Sequence, residues 1–423
     1  MANSNYGELL ALLWVILFAL GSYLAIRTRK NLQPLSQILT VVAASLFLIS
    51  SITIVAFELG RSDYQAADEP HTVIEVPDVE GTLPDIYYIV LDQYGNDAPF
   101  RELFNFDNSE FLDSLRELGF YIASESRINY IPTGHSLASS LNMKLINYLT
   151  DEVGEETTDL SPIYEILQNS AVLQFLDAHG YKSIQIGSHW GVTASNPYFD
   201  ITFSYKPLPE FQRLLYQTTF LRILPDPFDL GIGAPDRLHW KSALYQFDKL
   251  AEVLKTKQYY ENPLFVFAHI VIPHGPIVFT RDGSFLTQQN AVGKTDIELF
   301  IDQLVFTNKK VKNLVDDILV NSVVPPVIVL QGDHGPFTWG FPSLSQFTSE
   351  EKTKAVMMIL NAYYLPDNGQ EFLYDSISPV NTFRVIFNRY FNTDYDLESD
   401  RSFQSSNEHP YQFVEVTDIL NSN

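Results

Sequence analysis

The sequence predicts an α/β fold: a mainly parallel sheet flanked by helices and preceded by two transmembrane helices. Three observations carry this. Four apolar runs rich in β-branched and aromatic residues alternate with amphipathic helical patterns: Asp85–Asp92, Tyr181–Gly187, Pro263–His269 and Val327–Leu330. Strands separated by helices give a parallel, helix-covered sheet. Each run also stops at polar side chains: Asp92, then Ser188 and His189, then His269 with His274 just beyond, then Asp333 and His334. In open parallel sheets ligands bind outside the carboxyl ends of the strands, so these residues should converge on one crevice. Finally, Leu9–Ile26 and Ile38–Phe57 are uncharged and each near the ~20 residues that a spanning helix needs.

The bulk numbers bound the class. With 423 residues, 46% hydrophobic and 13% aromatic, the chain can bury a large core and holds one large domain plus something smaller. Its 27 Lys+Arg against 51 Asp+Glu leave a net charge of -24, which argues against nucleic acid as a partner. There is no cysteine, so disulfides, thiolate nucleophiles and cysteine-built zinc sites are excluded.

In chain order, residues 1–59 read as a membrane anchor. A cleaved signal peptide is the alternative for the first span, but Arg27, Arg29 and Lys30 follow the apolar run instead of preceding it. Those cations lie between the spans, and Glu58, Asp63, Asp68 and Glu69 follow the second. The short loop should therefore be cytoplasmic and the rest of the chain extracytoplasmic. Residues 60–83 mix acidic residues, Pro and Gly without periodicity and read as a linker; 84–395 read as the folded domain and 396–423 as a C-terminal tail. Helical patterns cover Ser109–Gly119, Ser136–Leu149, Tyr164–Gly180 and Asp296–Leu319, the first and third closing at a glycine. Pro207–Trp240, rich in Pro and aromatics, reads either as an insertion facing substrate or membrane or as an irregular packed loop.

Two stretches carry chemistry. Asp333 and His334 end a buried strand and can meet one cation. In Asn129–Met143, Pro132 restricts Ile131 to extended geometry and small residues follow, so Thr133 falls at or near a helix start, where the dipole favours an anion such as a phosphoryl group. Taken alone, Thr133 reads first as an N-cap.

Seven pieces in order, PDIYYIVLDQYG, NYIPTGHSLASSLNM, FAHIVIPHGPIVF, QLVFTNKKV, VLQGDHGP, LNAYYLP and ISPVNTFRVIFNRYF, resemble the membrane-anchored sulfatase-like hydrolases and transferases of the alkaline phosphatase superfamily. Lipoteichoic acid synthases and phosphoethanolamine transferases are such relatives. The resemblance spans Pro84 to about Tyr395 and implies an alkaline phosphatase-like domain. It implies Asp92, Thr133, Asp333 and His334 as ligands of one divalent metal ion, with Thr133 also the nucleophile. Such a ligand set suits manganese, zinc or magnesium, and admits calcium. A metal on the threonine oxygen would lower its pKa and offset charge in the transition state. His274 is implied as leaving-group acid or oxyanion stabiliser, with His269 beside it, although His269 reads equally as a buried structural histidine. His135 and His189 are further candidates for the crevice; His71, His179, His239 and His409 read as structural or solvated.

Two departures narrow the chemistry. Asp92 is followed by Gln93 and not a second Asp, and the Cys/Ser-x-Pro-x-Arg nucleophile pattern of true sulfatases is absent. The expectation is a metal-dependent phosphotransferase or phosphodiesterase acting, through a Thr nucleophile, on a lipid-linked or cell-envelope phosphoester beside the membrane lipid bilayer. The alternatives are a hydrolase of soluble phosphate or sulfate esters and an idle, membrane-tethered interaction domain.

Overall fold

The computed structural model describes residues 16–23, 25–28, 31–34, 36–45, 48, 83–205, 235–336, 342, 347–406 and 408–421. Residues 16–48 belong to a different unit from the domain that begins near Leu83. Their described parts are mostly helical, with apolar side chains such as Phe18, Leu39 and Val41 exposed. Among the described residues no helix is long and apolar enough to cross a membrane. Much of both apolar runs lies outside the described residues, as do residues 60–82 of the expected linker.

In the domain, strand β1 (Ile86–Leu91) is buried along its whole length and alternates between two cores. Tyr87, Ile89 and Leu91 enter one, and Ile86, Tyr88 and Val90 the other. A strand with a period of two and no polar position must be covered on both faces, and it is. The seven-stranded sheet runs β2-β7-β6-β1-β5-β3-β4, with β2 at Tyr121–Ile122, β3 at Lys182–Gly187, β4 at Ile201–Ser204, β5 at Leu264–Ile270, β6 at Val327–Gly332 and β7 at Asn361–Tyr364. Strands β6, β1, β5, β3 and β4 are parallel; β7 is antiparallel to β6, and β2 to β7. All four expected strands form, and β1 sits centrally between β5 and β6.

One face carries helices α1 (Ser109–Glu117), α5 (Pro235–Thr256) and α6 (Asp296–Asn321), through residues such as Leu115, Phe247 and Leu304. The other carries α2 (Thr133–Asn142), α3 (Ser161–Gln168), α4 (Ala171–Ala178) and α8 (Pro379–Tyr390), through Leu137, Ile163, Val172 and Phe383. Helix α7 (Ser349–Met357) follows β6, its Val356 and Met357 packing in a third, smaller cluster.

Four expectations need correction. Tyr164–Gly180 is two helices, because Ser170 caps α4 by accepting from the Leu173 N–H. The Ser136–Leu149 pattern is shorter than expected: α2 stops at Asn142, and Met143 at φ 53° is in the left-handed region. Of Pro207–Trp240, residues 207–234 lie outside the described residues, but 235–240 open α5 and are no irregular loop. Residues beyond Tyr395, set apart as a tail, pack into the domain: Phe403 and Tyr411 are buried in the second core, and Phe403 donates to Asn129 through its N–H. Aromatic burial there replaces solvation.

Candidate active site

The metal-competent residues meet at the carboxyl end of the sheet because β1 and β6 are adjacent and in register, Leu91 beside Gly332. Asp92 and Asp333 follow those two residues directly. Gly332 and Gly335 let other backbone segments approach closely there: a Cβ on Gly332 would lie 2.2 Å from the Tyr94 carbonyl oxygen, and one on Gly335 1.9 Å from that of Ala355.

The Asp333 carboxylate is held at one end. Its Oδ1 accepts from the Gln93 N–H at 3.1 Å and the His334 N–H at 2.9 Å, while its buried Oδ2 has no hydrogen-bond partner. Gln93, the residue that departs from the wider pattern, sits at φ 62° and serves through its backbone. Asp92 Oδ1 is likewise buried and unpartnered. His334 Nδ1 pairs with the Gly335 carbonyl at 2.7 Å; only an N–H can do so, which leaves the neutral ring's lone pair on Nε2. That Nε2 lies 3.5 Å from Asp92 Oδ1 and 3.6 Å from Asp333 Oδ2. One ligand atom from each of Asp92, Asp333 and His334 falls within 4.8 Å of the other two.

The electrostatics match. Burial raises the pKa of Asp333, and the neighbouring Asp92 charge raises it further. For Asp92 burial acts in the same upward direction, but His274, His269 and His334 outweigh it and hold the carboxyl well below the usual range. Two buried carboxylates facing each other with unpartnered oxygens are costly unless a cation lies between them. The residues therefore fit a divalent ion.

Thr133 is the first residue of α2, and the N-cap is Pro132. The threonine hydroxyl is thus not used in capping, and it lies near enough to the Asp333 carboxyl to oppose, weakly, the rise in pKa that burial and Asp92 cause there. Ser136, one turn on, donates to the Asp333 carbonyl at 2.7 Å and ties the helix to the end of β6. The amino end of α2, with its partial positive charge, is thereby fixed at the carboxylate pair. A cavity of about 370 Å³ opens there, lined by Asp92, Thr133, His135, Tyr164, His189, Trp190 and His274.

The remaining histidines divide. His274 lines the cavity, its N–H donates to the Asp92 carbonyl at 3.0 Å, and its ring centroid is 6.4 Å from that of His334. His269 is fully buried, its Nδ1 2.9 Å from Thr193 Oγ1 and its Nε2 3.5 Å from Asp92 Oδ2. It stands against the carboxylates and is not among the residues lining the cavity. His135 is spent structurally: its Nε2 pairs with the Pro410 carbonyl at 2.8 Å, and burial pushes its pKa down to about 4. His189 lines the cavity and meets His239 Nδ1 at 3.2 Å through Nε2.

His239, read as structural or solvated, is buried, and Gln303 has no role in the sequence reading. His239 is buried on α5, and burial, then the charges of His189 and His274, push its pKa down to about 3. Gln303 is buried on α6: its Nε2 donates to the Pro273 and His274 carbonyls at 3.0 and 2.9 Å, and its Oε1 accepts from the N–H groups of Val278 and Phe279. One side chain thus clamps both ends of the His274 loop. The signal was a glutamine on the apolar stripe with Phe300, Leu304 and Val311. Gln303→Leu should strand four backbone groups, cost on the order of 3 kcal/mol in stability, and lower turnover more than metal content. Unchanged turnover would show that the loop needs no such clamp.

No family model and no curated protein sequence matches the chain. Solved structures do. The C-terminal periplasmic domain of EcEptC from Escherichia coli, in complex with zinc, is similar over 80% of this chain and 94% of that one, with a TM-score of 0.52 at 12% identity. A second structure of the same domain gives 0.51 at 13% identity, with the same coverage. The periplasmic domain of the phosphoethanolamine transferase EptC from Campylobacter jejuni follows at 0.46 and 12%, over 76% of this chain and 94% of that one. The domain shares its fold with the EptC periplasmic domain.

Proposed function

We propose that the protein is a metal-dependent phosphotransferase or phosphodiesterase that acts through Thr133 on a lipid-linked or envelope phosphoester. The observation that carries this reading is the convergence of Asp92, Asp333 and His334 on the amino end of the helix that starts at Thr133. The two structures of the Escherichia coli EptC domain, one a zinc complex, support it as neighbours in fold. Asp92, Thr133, Asp333 and His334 would hold one divalent cation, which when bound supplies Lewis-acid stabilisation of phosphoryl charge. Thr133 Oγ, already deprotonated, attacks phosphorus, the bond to the leaving oxygen breaks, and His274 gives that oxygen a proton. An acceptor alcohol or water then attacks the phospho-threonine, returning a proton to His274 and freeing Thr133. Asp333 stands beside Thr133, and Gln303 holds the His274 loop.

The test uses full-length protein in detergent. Metal analysis should find about one equivalent of divalent ion, and nitrophenyl phosphodiesters should turn over in a chelator-sensitive way. Metal-free protein with undiminished turnover would contradict the reading.

The two apolar runs would anchor the domain, with the catalytic face outside the cytoplasm. Protease added to intact spheroplasts should digest the 84–423 region. Protection until the membrane is broken would reverse the orientation.

A further inference from the structure

A second cavity, of about 610 Å³, also opens on Thr133, His274 and His334. Its other walls include Lys352 and Thr353 of α7 and Gln404 and Ser405 of the C-terminal segment, and no carboxylate lines it among the described residues. In a chain with 51 acidic and 27 basic residues, a polar cavity holding a lysine and no acid is the exception. The glutamates next to Lys352 are engaged elsewhere: Glu351 accepts from the N–H and hydroxyl of Thr348, and Glu350 pairs with Lys354 at 3.1 Å. Lys352 has no ion pair or side-chain hydrogen bond among the described residues.

Stereochemistry gives the two cavities different tasks. A phosphodiester attacked in line by Thr133 places its leaving oxygen opposite the threonine and its remaining arm to the side. The first cavity offers Tyr164 and Trp190 and no lysine or arginine, whereas the second offers the Lys352 ammonium. Resting on the phosphoryl-transfer reading, we propose that the second cavity is the subsite for a substrate arm that carries its own negative charge, with Lys352 as the specificity-determining cation. The charge can reside on the transferred group or on the acceptor, and a cationic arm is the one the site rejects.

The test compares full-length wild type with Lys352→Met and Lys352→Glu on 4-nitrophenyl phosphodiesters bearing a propyl, 2-aminoethyl or 2-carboxyethyl arm. The wild type should favour the carboxyethyl over the aminoethyl arm about tenfold in kcat/KM, the methionine variant should level the two, and the glutamate variant should invert them. That result places the charge on the transferred group. If the donors rank alike but Lys352→Met slows transfer of the propyl arm to glycerol 3-phosphate and not to glycerol, the charge belongs to the acceptor. Equal effects on every arm and acceptor, or none, overturn the proposal. A binding measurement separates this from failure of the phosphoryl reading: propane-1,3-bisphosphate should bind the wild type more tightly than propyl phosphate, and Lys352→Met should erase the difference. Should no donor turn over, the binding difference decides, its absence from the wild type or persistence in the variant overturning the subsite.

Discussion

Thr133→Ala should lower turnover about a thousand-fold or more, equivalent to roughly 4 kcal/mol of transition-state stabilisation, while leaving the domain folded. The fold should survive because the hydroxyl performs no capping: Pro132 occupies the cap, and α2 is tied down by Ser136 bonding to the Asp333 carbonyl and by the burial of Leu137, Ala138 and Leu141. Thermal denaturation should therefore change little while nitrophenyl ester turnover collapses. Thr133→Ser should keep measurable activity, since it retains the hydroxyl, its access to Asp333 and the helix-end field. A serine variant as inactive as the alanine variant, with metal still bound, would move the nucleophile elsewhere.

Asp333→Ala and His334→Ala should each weaken metal binding on the order of a hundredfold or more and remove activity with it, since even residues that only support ligands typically cost ten- to a hundredfold. Asp333 is the more exposing test. Its Oδ1 anchors the Gln93 and His334 N–H groups, so alanine strands two backbone donors as well as removing Oδ2 from the site. Asp333→Ala should thus lose stability as well as metal, and His334→Ala should lose metal with a smaller stability change. Metal content measured by emission spectrometry, beside a melting curve, separates the two. Full occupancy in both variants would mean that the cation lies elsewhere.

The site was legible because strand ends are legible. Ile86–Leu91 is an unbroken apolar run that stops at Asp92, Val327–Leu330 is followed within three residues by Asp333, and two parallel neighbours in register bring those acids together. Thr133 at a helix start followed from Pro132 and the small residues behind it, although the sequence alone did not show that the proline itself would be the cap. Other features depend on tertiary packing, which local pattern does not encode. The start of α5 carries Leu238, His239, Ala243, Phe247 and Leu250 at helical spacing, but Pro and aromatic content upstream masked it and hid His239. Phe403 and Tyr411 stand in a stretch without periodicity, and their burial against Tyr130 and the second core is a long-range event. Gln303 looked like an ordinary helical polar residue until its four backbone partners, 24 to 30 residues away in sequence, were in place.

The covalent step at Thr133 is tested most directly by trapping. Full-length protein loaded with manganese, zinc or magnesium is mixed with a nitrophenyl phosphodiester at low temperature, quenched in acid and digested, and the modified peptide is sequenced by mass spectrometry. A phosphodiester adduct on Thr133, absent from Thr133→Ala and from chelator-treated protein, is the expected result. An adduct on Ser136 or His135, a sulfated Thr133 from a sulfate ester in its place, or an active enzyme that carries no adduct would contradict it.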